Sequence, residues 1–234
     1  MAYAANDGFK VFERPQNKQL VHRAVADMVL KGIREEEKTY GPVFTARFVN
    51  NALSYLTSRI GERPREEIKD INQLMQYVAS KEDKYPSPEC VVVYAQVKTE
   101  NDFQGQTGAG TTIEQISMAR QVLESNKVTE RNVDVDKAFT VFSQILLAMK
   151  IHPDQWGFKK NADGSAEIMV ENCYFLDSCN QCLAEHLLKR PDGKRRCGTV
   201  GFICKSLKPV TGYEWDYDVI DAPKDRCTVK CYMI

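Results

Sequence analysis

The sequence lacks several features by which whole classes of protein are recognised. No apolar run approaches the roughly 20 residues that cross a bilayer, so no membrane segment is expected. Basic and acidic residues balance, with 32 of each among 234 residues, so the basic excess that supplies most non-specific affinity for nucleic acid is missing. The N-terminus has no basic stretch followed by an apolar one. No secretory signal is therefore predicted, and a soluble, cytoplasmic protein is expected.

Motifs that identify common enzymes are also missing. The chain has neither a Gly-x-Ser-x-Gly elbow nor a His-Glu-x-x-His pair, and no catalytic residue is predicted. A loop with Gly105, Gly108 and Gly110 precedes a helical pattern, where free N–H groups could cradle a phosphate. The loop lacks the lysine of a P-loop and the glycine order of a dinucleotide site. We expect a mobile surface loop there, with nucleotide binding as the lesser alternative.

Cysteine, by contrast, is abundant and unevenly placed. The chain has eight cysteines, and all but Cys90 lie between Cys173 and the C-terminus. In a reducing cytoplasm, clustered cysteines indicate metal binding or redox chemistry more often than disulfides. Cys90 lies far from the others and is interpreted as a small core residue.

The N-terminal half has the pattern of a helical region. Apolar residues at spacings of three and four predict three helices, over residues 17–40, 42–60 and 66–80. The β-branched run at 90–97 predicts a strand. Residues 134–150 are the most apolar helical pattern and predict a helix between layers. The chain is thus expected to comprise a flexible start, a helical region and a C-terminal domain, at residues 1–15, 16–133 and 134–234.

The C-terminal domain changes to a period of two. Residues 155–173 predict a hairpin around the Asp163-Gly164 turn, and a second hairpin follows Gly212. Two helices are predicted between the hairpins, at residues 177–189 and 197–207. The resulting order is hairpin, helix, helix, hairpin, which makes a four-stranded antiparallel sheet in an α+β fold, with the helical N-terminal half packed on it.

Five of the cysteines are candidate metal ligands. Cys179 and Cys182 form a Cys-x-x-Cys pair near the start of a helix, where the positive helix end favours the thiolate that metals require. Cys173 lies just before this helix. Cys197 at the start of the next helix and Cys227 at the start of the last strand are candidates to complete four ligands. A structural or regulatory zinc is the leading interpretation, with an iron–sulfur cluster and unligated core thiols as alternatives.

Five other polar or thiol side chains are weighed and set aside. Cys204 and Cys231 lie deeper in their elements and are interpreted as packing residues, although Cys231 shares the apolar strand face with Cys227. His186 could be a fourth ligand, but a surface or core histidine is the simpler interpretation. Asp216 and Asp218 could act as acid and base, yet alternate residues on a strand face are usually solvated.

Several of these features together resemble a known family. They are the helical N-terminal half, the hairpin, helix, helix, hairpin order, the cysteine of ENCYF, the cysteine-bearing helix and the final strand RCTVKCYMI. The chain resembles the vinyl-4-reductase-type domain, also called the hydrocarbon-binding domain, which shares its fold with TRAPP vesicle-tethering subunits. The resemblance covers residues 135–234, and the N-terminal helices in outline. It implies a pocket for a small hydrophobic or aromatic molecule and a homodimer formed by the N-terminal helices.

The resemblance also implies a zinc site, with Cys197 as the helical ligand and Cys227 as the strand ligand. The middle ligands do not match, because the loop offers aspartates and no cysteine. The expected function is a sensor or carrier of a small hydrophobic ligand with a cysteine-held zinc. The expected pocket lining is Phe139, Phe142, Ile145, Leu146, Phe158, Phe175, Trp215 and Tyr217. The alternatives are an iron–sulfur or tetrapyrrole redox protein or enzyme, and a scaffold subunit without a ligand.

Overall fold

Helices and antiparallel strands are combined in one chain, which confirms the predicted α+β class. The computed structural model describes residues 10–13, 18–104, 110–148, 155–171, 173–190, 192–221 and 226–234. In these residues the chain forms eight helices and five strands. Contacts divide the described residues into two units. The helical unit comprises those of Asn17–Met118 and Tyr174–Lys189, and the sheet unit comprises those of Met1–Gln16, Ala119–Cys173 and Arg190–Ile234.

The helical unit contains most of the helices. They are α1 (Lys18–Tyr40), α2 (Pro42–Ile60), α3 (Ile71–Ala79), α4 (Pro88–Gln104), the first part of α5 (Gly110–Ser125) and α7 (Leu176–Ala184). α2 begins and ends where the sequence predicts. Pro42 occupies its first turn, and Gly61 closes it in the left-handed region at φ 72°, a conformation that glycine adopts at little cost. α3 starts later than predicted, after Asp70, whose side chain accepts a hydrogen bond from the Gln73 N–H at 2.8 Å.

The strand predicted at residues 90–97 is wrong, because this segment lies inside helix α4. Cys90, Val91 and Val92 are at most 1% exposed, and α4 packs against α1, α2 and α7. A helix buried on all sides has no polar face to reveal its period. β-branched residues disfavour a helix only slightly, so burial among the neighbouring helices decides the conformation.

The sheet unit is built on a five-stranded antiparallel sheet. Its strands are β1 (Lys10–Glu13), β2 (Gln155–Lys160), β3 (Ala166–Glu171), β4 (Trp215–Asp221) and β5 (Arg226–Met233). Their order is β1-β2-β3-β5-β4. The four C-terminal strands form the two predicted hairpins, and Gly164 takes φ 83° in the first turn. β1 is an additional edge strand where the sequence predicts a flexible start, and the rest of that prediction lies outside the described residues.

One face of the sheet is apolar and covered by helices. Register places Phe158 opposite Ile168, Ile168 opposite Val229, and Cys231 opposite Tyr217. These five residues are at most 6% exposed. Helices α6 (Val135–Ala148) and α8 (Gly198–Thr211) pack on this sheet and on each other. The sheet and its two helices are therefore two layers with an apolar interior, as the alternation in the sequence predicts.

The two units do not follow the expected division at residue 134. Residues 119–133 belong to the sheet unit, and α7, which the sequence places between the two hairpins, belongs to the helical unit. α7 is also shorter than predicted and ends at Ala184, after which His186 takes φ 57°. Across the described ranges, no helix combines the length and apolar character required to cross a bilayer.

Candidate functional site

Two cysteines from neighbouring elements meet inside the sheet unit. Cys204 lies in the middle of α8 and Cys231 on β5, and their Sγ atoms are 3.9 Å apart. They are 3% and 0% exposed. The pKa of Cys231 is raised well above its ordinary value, first by the hydrogen bond with Cys204 and then by burial and neighbouring charges. Cys231 is therefore a protonated thiol at neutral pH.

A second helix–strand pair lies nearer the start of the same two elements. Cys197 is the N-cap residue of α8, and Cys227 is the second residue of β5. Burial raises the pKa of Cys197 to about 11, and the charge of a nearby Cys227 thiolate adds to the increase. Backbone N–H groups of Val200 and Thr199 act in the opposite direction. The charge of Cys227 thus acts on Cys197 between α8 and β5, and the charge of Cys197 also acts on Cys231.

The four cysteines of α8 and β5 cannot all bind a single ion. Cys197 and Cys204 are separated by seven helical residues, which span about 10 Å, and Cys227 and Cys231 by four strand residues, which span about 13 Å. Sulfurs that share a tetrahedral zinc lie about 3.8 Å apart, because each Zn–S bond is about 2.3 Å. Within the part of the chain that the structure describes, no group of three or more histidine, cysteine or acidic side chains is arranged to hold a metal.

The loop that carries Cys197 is fixed to strand β4 by Arg190. The Arg190 guanidinium pairs with the Asp216 carboxylate at 2.8 Å and donates to the Tyr217 carbonyl oxygen at 3.0 Å. It also lies over the Tyr217 ring, 4.9 Å from the centroid. The Tyr217 hydroxyl accepts a hydrogen bond from the Cys197 N–H at 2.9 Å. Arg190 and Tyr217 therefore position the first turn of α8.

The aspartates on β4 are engaged in this loop contact. Burial alone would raise the pKa of Asp216, but the hydrogen bonds and charge of Arg190 outweigh it and lower the pKa. Asp218 pairs with Lys194 at 2.7 Å, and Lys194 also donates to the Tyr232 hydroxyl at 2.8 Å. Both carboxylates therefore pair with basic side chains of the loop between α7 and α8.

The remaining predicted ligands are divided between the units. Cys173 belongs to the sheet unit, whereas Cys179 and Cys182 lie on α7 in the helical unit. Cys182 is 1% exposed. His186 lies beyond the end of α7 and is exposed. None of the eight cysteines forms a disulfide. Cys90, predicted to be a core residue, is 1% exposed, and its thiol lies 3.0 Å from the Tyr174 carbonyl oxygen.

Three predicted pocket residues form an aromatic cluster under α6. The Phe139 ring stacks on Phe158 with centroids 4.8 Å apart and meets the edge of Trp215 at 6.4 Å. All three side chains are at most 3% exposed. The Trp215 indole N–H donates to the Thr211 hydroxyl at 2.9 Å, which fixes the ring against the end of α8. These three rings and the buried Tyr217 line the apolar, aromatic interior of the sheet unit.

The other predicted pocket residues are less closely connected to this cluster. Phe142 packs on Phe202 of α8, with ring centroids 5.7 Å apart. Phe175 lies in the helical unit, at the start of α7. Ile145 and Leu146 lie on α6, and their side chains are outside the described part of the structure. Gly105 and Gly108, from the loop considered above for phosphate binding, also lie outside the described residues.

A separate polar cluster joins α7 to the rest of the helical unit. The Asp177 carboxylate accepts hydrogen bonds from the Tyr55 hydroxyl at 2.8 Å and the Tyr85 hydroxyl at 2.5 Å. Arg59 donates to both carboxylate oxygens, at 3.1 and 3.2 Å, and lies over the Tyr55 ring at 4.4 Å. At the other end of α7, Glu185 accepts from Tyr94 at 2.7 Å. These contacts explain why α7 belongs with the helices.

The sequence carries a signal for the faces on which these four cysteines lie. A seven-residue spacing placed Cys197 and Cys204 on one helix face, and strand alternation placed Cys227 and Cys231 on one strand face. Which thiol meets which depends on how α8 lies along β5, and no local pattern specifies that. The Arg190 contact with Asp216 had no sequence signal, because the two residues are joined only by the packing of their elements.

Comparison with known proteins provides no further guide to this site. No protein-family model, no curated protein and no solved structure matches the chain.

Proposed function

We propose that this protein is a small-molecule-binding module of the vinyl-4-reductase type, a sensor or carrier for a hydrophobic or aromatic ligand. A cysteine-held zinc would join the start of α8 to β5. The observation that carries the proposal is that Cys197 lies at the N-cap of α8 and Cys227 at the start of β5, where the charge of Cys227 acts on the pKa of Cys197; these are the two positions that the resemblance implies as zinc ligands. The apolar face of the sheet and the rings of Phe139, Phe158 and Trp215 support a hydrophobic ligand.

Cys197 and Cys227 fit zinc as two ligands of the four that a closed structural site requires. Asp216 and Asp218 are already paired with cations, so neither is assigned to the shell. When bound, zinc would supply a fixed link between helix and strand, and its binding energy would add to folding energy. Because both thiols must lose a proton and burial raises the pKa of Cys197, the affinity should rise with pH.

Metal analysis of protein purified without oxygen tests the zinc proposal. We expect zinc in the wild-type chain and its loss in the double variant Cys197→Ser/Cys227→Ser. The matched control is Cys179→Ser/Cys182→Ser, which removes two thiols from the helical unit and should retain the metal. Loss of zinc in the control and its retention in the first variant would contradict the assignment. A visible absorption band in place of zinc would favour the iron–sulfur alternative.

Tryptophan fluorescence tests the ligand proposal. Trp215 lies in the aromatic cluster, so a bound aromatic compound such as a substituted phenol should change its emission in a saturable way. The Trp156→Phe variant leaves Trp215 as the only indole. Phe139→Leu should weaken the response, whereas the same change at the exposed Tyr213 should not. If no hydrophobic compound gives a saturable change in emission, the proposal is contradicted and a scaffold subunit is favoured.

Light scattering tests the homodimer that belongs to the same proposal.

A further inference from the structure

A cleft in the helical unit has the properties of a binding site and is separate from the function proposed above. It lies between the segment that follows α2 and the end of α3, with a volume of about 560 Å³. Its lining residues are Glu62, Arg63, Pro64, Arg65, Tyr77, Ser80 and Lys81. Small-molecule sites typically occupy about 300–1,000 Å³, so the cleft is large enough for a ligand of ordinary metabolite size.

The charge of this cleft is positive. Arg63 and Arg65 make no hydrogen bond or ion pair within the residues that the structure covers. The hydrogen bond to Glu62 raises the pKa of Lys81, and the charge of the nearby Arg65 acts in the opposite direction. The only lining carboxylate, Glu62, pairs with Lys81 at 2.9 Å and also with Lys84. Three lining cations against one carboxylate leave a surplus of two positive charges, which favours an anionic ligand.

A tyrosine in the same cleft lacks an acceptor. The Tyr77 hydroxyl is buried and has no hydrogen-bond partner among the described residues. The Lys81 ammonium lies over the Tyr77 ring, 5.4 Å from its centroid. A buried hydroxyl without a partner is unfavourable. A phenol hydroxyl donates one hydrogen bond, so an acceptor oxygen that a ligand brought to it would satisfy it.

We propose that this cleft binds the phosphate group of a small molecule. The guanidinium groups of Arg63 and Arg65 are suited to bidentate contacts with phosphate oxygens. Lys81 turns from Glu62 towards the phosphate, and the Tyr77 hydroxyl donates to one of its oxygens. A phosphate dianion matches the surplus of two positive charges, whereas a single carboxylate would neutralise only half of it.

A neighbouring cleft indicates where the rest of the ligand lies. It has a volume of about 520 Å³ and shares Pro64, Arg65 and Tyr77 with the first. Glu66 and Glu67 line it, and Glu67 has a cation nearby in Lys69, at 3.5 Å. The two carboxylates make this side less favourable for a phosphate than the first cleft. Ile68, Gln73 and Gln76 also line it and suit an uncharged body with polar groups.

Calorimetric titration at constant ionic strength tests the site. The probes are inorganic phosphate, pyrophosphate and adenosine monophosphate, and a single-stranded oligonucleotide forms a separate arm. We expect saturable binding of at least one small phosphate, weakened about tenfold by Arg63→Gln or Arg65→Gln, since charged hydrogen bonds are lost. Lys31→Gln is the matched control: it removes one exposed cation from α1, which lines neither cleft, and should leave the affinity unchanged.

The Tyr77→Phe variant distinguishes specific phosphate binding in this cleft from non-specific attraction of anions to its positive charge. Because the hydroxyl has no partner among the described residues, its removal should not lower the melting temperature, yet it should weaken phosphate binding about tenfold. A lower melting temperature with unchanged affinity would overturn the role of Tyr77. Equal losses in Lys31→Gln and the arginine variants, binding of the oligonucleotide alone, or no binding at millimolar concentration would overturn the site.

Discussion

Replacing Asp177 by asparagine should release α7 partly from the helices on which it packs. Four hydrogen bonds reach this carboxylate, two from Arg59 and one each from Tyr55 and Tyr85. Hydrogen bonds to a charged group contribute about 1.5–3 kcal/mol each. Asp177 is 47% exposed, which limits its ion pair to roughly 1 kcal/mol or less. Asparagine retains the shape and one acceptor, so we expect a loss of about 2 kcal/mol.

The expected loss is measurable by thermal unfolding. For a chain of this length, about 2 kcal/mol corresponds to a fall in melting temperature of about 4–8 °C. Asp102→Asn is the matched control in the same unit. Asp102 makes an exposed ion pair with Arg47 at 3.1 Å, and its loss should cost at most about 1 kcal/mol. If the two variants unfold at the same temperature, the contacts of Asp177 do not hold α7 in place.

The pH dependence provides a second check on the same carboxylate. Burial acts to raise the pKa of Asp177, but the hydrogen bonds from Arg59, Tyr85 and Tyr55 outweigh it and lower the pKa. A carboxyl group with a lowered folded-state pKa stabilises the fold above its unfolded value, about 3.9, and loses this contribution as pH falls through the folded value. The difference in stability between wild type and Asp177→Asn should therefore be constant near neutrality and decrease below about pH 4.

Two further substitutions test the packing of the sheet unit. Phe139→Ala should lower the free energy of unfolding in denaturant by about 3–5 kcal/mol, because it removes a fully buried ring that stacks on Phe158; a loss below about 1 kcal/mol would show that the site is loosely packed. Gly212→Ala should cost at least about 1 kcal/mol, since φ is 83° and a new Cβ would lie 3.0 Å from the Asn132 side chain. Gly61→Ala meets open space, and calorimetric melting should show a smaller loss there.

The sequence predicted those parts of the fold that depend on local patterns. The two hairpins and the apolar strand face carrying Cys227 and Cys231 follow from alternation and from the Asp163-Gly164 turn. The strand expected at residues 90–97 failed because burial on all sides removes the period of a helix. The sequence also could not predict that α7 packs in the helical unit. Its partners Tyr55 and Tyr85 lie 122 and 92 residues away in sequence from Asp177.

For the candidate site, too, the sequence predicted only the features that depend on local patterns. Local spacing identifies the faces on which Cys197, Cys204, Cys227 and Cys231 lie. It does not specify how far along β5 each turn of α8 lies, and that offset decides which sulfurs meet. The basic cleft was not predicted either, because Tyr77 and Arg63 belong to different segments and approach only in the folded helical unit.

The different environments of the two thiol pairs limit what a bound metal could change. Cys204 and Cys231 are at most 3% exposed, whereas Cys197 and Cys227 are partly exposed, so an arriving ion should meet Cys197 and Cys227 first. Zinc held there would act on the first turn of α8. Its removal should therefore increase amide exchange near Cys197 and leave the turn around Cys204 protected, because that turn is held by packing. Uniform exchange along α8 after chelation would show that a metal at Cys197 stabilises the whole helix.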